Sequence, residues 1–123
     1  MNRATAVLAA ALIALAIAAG ALGGRAATPK LVGTVGPGFT IHLTQGGKPV
    51  KSVKAGRYAV VVHDKASIHN FVVEQESGGK FEKDLTAVPF VGTKTLTLTL
   101  KKGKWKFYCK PHEAQMFGFF TVK

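Results

Sequence analysis

The stretch "TKTLTLTLK", Thr93 to Lys101, puts Leu96, Leu98 and Leu100 on one side and Thr95, Thr97 and Thr99 on the other. A period of two is that of a β-strand with one face buried and one in water. The turn "KKGK" follows, then "WKFYC", where Trp105, Phe107 and Cys109 share parity against Lys104, Lys106 and Tyr108. Cys109 is therefore expected to point inward at the end of a strand. "FGFFTVK" adds a strand in which Phe117, Phe119 and Thr121 share a side.

Upstream, "FTIHLTQ" (Phe39 to Gln45) alternates and is turned by "GGK", while Arg57 to His63 is β-branched and aromatic with apolar residues on both faces, the pattern of a central strand. "SIHNFVVE" opens another strand at Phe71, and "EQESGGKFEKDLTAV", Glu74 to Val88, reads as a loop with room for one short helical turn. Short strands at this spacing without βαβ alternation predict an all-β fold, a Greek-key antiparallel β-sandwich of seven or eight strands.

Residues 1 to 26 have the layout of a secretory signal, with the basic Arg3 leading into an apolar stretch from Ala4 to Leu22, and small residues before a cleavage expected after Ala26. Left uncut, residues 4–22 are long enough to anchor the chain in a bilayer. Either way the remainder is expected to be exported, to a periplasmic or extracellular space, as one domain spanning 27–123. This part holds 15 of the 17 basic residues and all 6 acidic ones, a formal charge of +9. The lysines are scattered, without nucleic-acid-binding motifs or exposed-looking aromatic ladders among them, so the charge points to acidic redox partner proteins or an anionic membrane surface.

An exported domain of this size usually stiffens itself with disulfides, yet Cys109 is the only cysteine and can form none within the chain. A lone cysteine serves as a buried space-filler, a nucleophile or a metal ligand. Here it lies in "FYCKPHEAQM", with His112 three residues on and Met116 four beyond that, while His69 precedes Asn70 in mid-chain. One thiolate, two imidazoles and a thioether form the donor set of blue-copper electron-transfer sites. Zinc prefers more cysteines and takes a thioether poorly.

In "IHNF" and "YCKPHEAQM", in this order, the chain resembles the cupredoxins, the plastocyanin-, pseudoazurin- and amicyanin-like type 1 blue copper proteins. The resemblance covers roughly residues 33–123. It implies one type 1 copper ion held by His69, Cys109 and His112 with Met116 as axial ligand, and single-electron shuttling by a monomer. It also implies that Asn70 ties the His69 segment to the Cys109 loop, and that Pro111 withholds a backbone N–H from the sulfur. Three residues separate His112 from Met116 where plastocyanin has four and amicyanin two, so Gln115 is the alternative axial ligand.

His112 would exchange electrons through its exposed edge, within a docking face of Gly36, Pro37, Phe90, Val91 and Phe117, with Lys110 steering an acidic partner. A copper module for storage or delivery is the rival reading. No enzyme activity is expected: copper oxidases of related fold flank the cysteine with histidines, where this chain has Tyr108 and Lys110. His42 and His63 are read as ordinary strand histidines.

Overall fold

Leu98 and Leu100 are buried and Leu96 is half-buried, while Thr95, Thr97 and Thr99 face solvent, so the alternation that announces a strand also orients it. The computed structural model describes residues 27–123. The signal or anchor expected at the N-terminus lies outside the described residues. Among the described residues, no helix is long and apolar enough to cross a membrane.

The strands are β1 (Lys30–Val35), β2 (Ile41–Gln45), β3 (Lys48–Pro49), β4 (Ser52–Val53), β5 (Gly56–Asp64), β6 (Val72–Gln75), β7 (Glu82–Asp84), β8 (Gly92–Leu100), β9 (Gly103–Tyr108) and β10 (Phe117–Val122). They form two five-stranded sheets, in the orders β3-β2-β1-β5-β8 and β4-β10-β9-β6-β7. The β-sandwich follows the sequence reading, with two differences. Both sheets are mixed rather than antiparallel, because β1 runs parallel to β5 and β4 parallel to β10. The described residues form ten strands rather than seven or eight, because β3, β4 and β7 span only two or three residues and are too short to display a period. The Glu74–Val88 segment accordingly contains the end of β6 and all of β7.

The inward faces bury a continuous apolar core that includes Leu31, Val60, Val62, Leu98, Trp105, Phe107 and Phe120. Phe71 and Phe107 stack nearly parallel at 5.9 Å between centroids. Two glycines make room for this pair: a Cβ on Gly33 would press into the Phe71 ring, and one on Gly118 would overlap Phe107. Packing density of this kind leaves no space for an added methyl without displacement. β9 thus carries Trp105 and Phe107 inward together, and just past its end the buried Cys109 arrives at one pole of the sandwich.

Candidate metal centre

At that pole His69, Cys109 and His112 converge, their ligand atoms all within 4.8 Å of one another. His69 Nδ1 lies 3.1 Å from His112 Nδ1, and Cys109 Sγ lies 3.6 Å and 3.7 Å from the same two nitrogens. A triangle with those sides has a centre about 2.0 Å from each corner, the length of a bond from nitrogen to a d-block dication and only slightly short of one from sulfur. One ion therefore fits among the three donors. A thiol and two imidazoles suit copper by softness, and three donors at nearly equal spacing about one point suit a trigonal His₂Cys site.

The chain fixes the tautomer of His69. Its Nε2 lies 2.7 Å from the Gly38 carbonyl, which accepts only, so Nε2 carries the proton and donates it. In the neutral ring this leaves Nδ1 as a bare lone pair aimed at the cluster, the arrangement usual for a metal-ligating histidine. Gly38 belongs to the β1–β2 connection, so this bond spans 31 residues and makes that loop part of the site. His69 itself is wholly buried in the β5–β6 connection, where its N–H donates to the Ala66 carbonyl at 3.2 Å. Gly36, with φ 70°, passes so close that an added Cβ would meet Ala66 Cβ at 3.0 Å and His69 Cδ2 at 3.5 Å.

Cys109, His112 and Met116 sit on one loop that closes on itself. The Cys109 N–H donates to the Met116 carbonyl at 3.0 Å, and the His112 N–H to the Cys109 carbonyl at 3.1 Å. The His112 carbonyl accepts from Gln115 at 3.0 Å and Met116 at 2.9 Å. A 3-10 turn, Lys110–His112, starts the loop, with Pro111 exposed in its first positions where a missing N–H costs nothing. Met116 is 1% exposed and Gln115 faces solvent, so of these two side chains it is the thioether that enters the interior. Buried Asn70 accepts the Lys110 N–H on Oδ1 at 2.8 Å, bonding the His69 segment to the cysteine loop.

The surroundings differ in part from the expected docking face. Gly36 is buried and Phe90 half-buried, while Pro37, Val91 and Phe117 are exposed. Phe39 is 56% exposed and meets both imidazoles edge-on, at 5.5 Å from His69 and 5.0 Å from His112 between centroids. The sequence reading passed over Phe39 because it begins a strand pattern; its place after "GPG" was the available signal.

Lys110 is less free to steer a partner than expected, since its ammonium bonds Asp84 at 3.0 Å and Glu82 at 3.4 Å. The Asp84 hydrogen bond in particular holds the Lys110 pKa above the ordinary lysine value. Burial pushes the Tyr108 phenol well up, aided by its hydrogen bond to Glu82. The same bond holds Glu82 below the usual carboxylate range.

His42 is exposed on β2, and His63 on β5 pairs with the Thr93 hydroxyl at 2.9 Å, so neither approaches the cluster. Among the described residues this is the one group of three convergent His, Cys, Asp or Glu side chains.

Solved structures of rusticyanin share the fold. Reduced rusticyanin aligns at TM-score 0.59 and 22% identity, over 81% of this chain and 82% of that one. Rusticyanin from Thiobacillus ferrooxidans aligns at 0.55 and 24%, over 78% and 77%. No curated protein sequence matches the chain at a significant level. The sequence pattern of copper binding proteins of the plastocyanin/azurin family matches residues 48–123, more than half the length. The triangle of donors and the sequence pattern agree: this chain belongs to the plastocyanin/azurin family of copper binding proteins.

Proposed function

We propose that the chain is an exported electron carrier holding one type 1 copper ion on His69, Cys109 and His112, with Met116 as axial ligand. Bound copper supplies a one-electron Cu(II)/Cu(I) couple. The observation that carries this reading is the donor triangle, with sides of 3.1, 3.6 and 3.7 Å, closed by residues 40 and 43 positions apart.

The protein's own groups do three things there. The Gly38 carbonyl orients His69, and Asn70 holds the cysteine loop against it, so the donors keep one geometry in both oxidation states. Cys109 and Met116 are buried, which keeps water from the sulfur atoms. His112 is half-buried beneath Phe39, leaving a ring edge near the surface for electron exchange. The exposed Phe39, Val91 and Phe117 provide apolar contact for a small, quickly released interface with a redox partner.

The test is a visible and paramagnetic resonance spectrum of the copper-loaded protein and of Cys109→Ser. Intense thiolate-to-copper absorption that is lost in the variant supports the assignment; equal spectra sink it. Reversible redox cycling supports a carrier, whereas rapid surrender of copper to a chelator without a stable potential supports a storage or delivery role.

A further inference from the structure

The donor cluster occupies one pole of the sandwich, and the strand registers fix what lies at the other. β5 begins there, Gly56 opposite Leu100 of β8, and β10 ends there, Val122 opposite Gly103 of β9. The turns and strand ends that close this pole carry Lys48, Lys51, Lys54, Arg57, Lys101 and Lys102, all exposed. The Lys123 carbonyl accepts the Ala55 N–H at 2.8 Å and places another lysine among them. Glu76 is the one acidic side chain at this pole among the described residues; Glu74 lies midway, opposite Lys106 of β9, and Asp64, Glu82, Asp84 and Glu113 lie toward His112. A cavity of about 590 Å³ opens at this pole, lined in part by Lys54, Arg57, Ser52, Tyr58 and Pro29.

We propose that this lysine-rich pole is a docking surface for an anionic lipid bilayer, and that it holds the copper-binding pole away from the membrane. Three observations favour lipid over other polyanions. The charges are spread over several turns as a broad cap, and nearly all are lysines, whose compact, mobile ammonium groups suit a diffuse negative surface better than bidentate recognition. The exposed aromatics Phe39 and Phe117 sit near the copper-binding pole, and Phe119, midway along β10, is covered by the Lys104 and Lys106 ammonium groups, so the turns of the cap lack the stacking platforms of a single-stranded nucleic-acid groove. Pro29, just ahead of β1, lines the cavity, so the apolar stretch Ala4–Leu22, left uncut, would enter the domain at this pole. β5, at about 3.3 Å per residue, sets the distance between the poles at ~30 Å.

The experiment is amine-acetylation footprinting of the full copper-loaded chain on vesicles. Pure phosphatidylcholine is compared with phosphatidylcholine containing roughly one phosphatidylglycerol in three, a charge density at which each apposed lysine adds about fivefold to partitioning. Acetylation of Lys48, Lys51, Lys54, Lys101 and Lys102 should slow about tenfold or more on the anionic vesicles alone, and high salt should restore it. Lys65 and Lys94, at the copper-binding pole, should react equally on both. The triple variant Lys48→Gln, Lys51→Gln, Lys54→Gln should lose the protection of Lys101 and Lys102, and Lys65→Gln with Lys94→Gln should not. Equal protection on neutral vesicles, uniform slowing at both poles, or no slowing would overturn the proposal. So would protection by duplex DNA or polyaspartate in the absence of protection by vesicles. The readout does not involve the metal, so it succeeds or fails independently of the copper ligands.

Discussion

Asn70 and Lys110 are joined by one hydrogen bond, side-chain carbonyl to backbone N–H at 2.8 Å, and that bond couples two segments 40 residues apart at the mouth of the donor cluster. Removing it leaves a Lys110 N–H without its partner. Asn70→Ala is expected to cost about 0.5–1.5 kcal/mol, the net worth of a hydrogen bond at a partly buried site. In a thermal melt of the copper-loaded protein the midpoint should fall by roughly 4–8 °C per kcal/mol. An unchanged midpoint would mean that the loop is held by its own internal hydrogen bonds.

The stacked Phe71 and Phe107 pair depends on the absence of a side chain at Gly118, where a Cβ would overlap the Phe107 ring. Gly118→Ala should destabilise the fold by about 1–3 kcal/mol through overpacking, read as a lower urea midpoint. The visible spectrum should be kept, since the strain lies in the core rather than at the donors.

Glu74 faces Glu82 in register across β6 and β7, and its carboxyl is pushed above the ordinary value by partial burial, then by Glu76 and Glu82. A carboxylate whose folded pKa is raised costs stability above that pKa and nothing once both states are protonated. Glu74→Gln should therefore raise the urea midpoint at pH 7, by about half a kcal/mol or less for an exposed cross-strand pair. The gain should vanish as pH falls below the ordinary glutamate value of about 4.3. A gain that persists at pH 3 would point to a cause other than charge.

Phe39 covers both imidazoles while staying half in water. Phe39→Ser should admit solvent and speed copper extraction by a chelator on the order of tenfold, the scale found when support around a metal site is lost. Extraction at the parent rate would make Phe39 a surface residue of no consequence to the metal.

The parts of this architecture that read from sequence are those with a period or a chemical signature. Leu96, Leu98 and Leu100 face inward as a period of two requires, and the parity that buries Trp105 and Phe107 also turns Cys109 inward. The cluster of His69, Cys109 and His112 was foreseeable because softness limits which metal such a donor set suits. What stayed hidden has neither property. Two-residue strands such as Lys48–Pro49 show no alternation, and the parallel pairing of Val32 with Val61 is a choice made between distant segments. Gly38 acts through a main-chain oxygen, which every residue possesses, so its bond to His69 leaves no mark in residue type.

The uneven placement of lysines makes the molecule an electric dipole aligned with its strands, and a charged electrode can sort its orientation. On a carboxylate-terminated monolayer the cap of Lys48, Lys51, Lys54, Lys101 and Lys102 would face the metal surface, leaving His112 at the far end of the long axis and voltammetric exchange slow. On an uncharged methyl-terminated monolayer Phe39, Val91 and Phe117 become the adhesive patch, the imidazole edge faces the electrode, and exchange becomes fast.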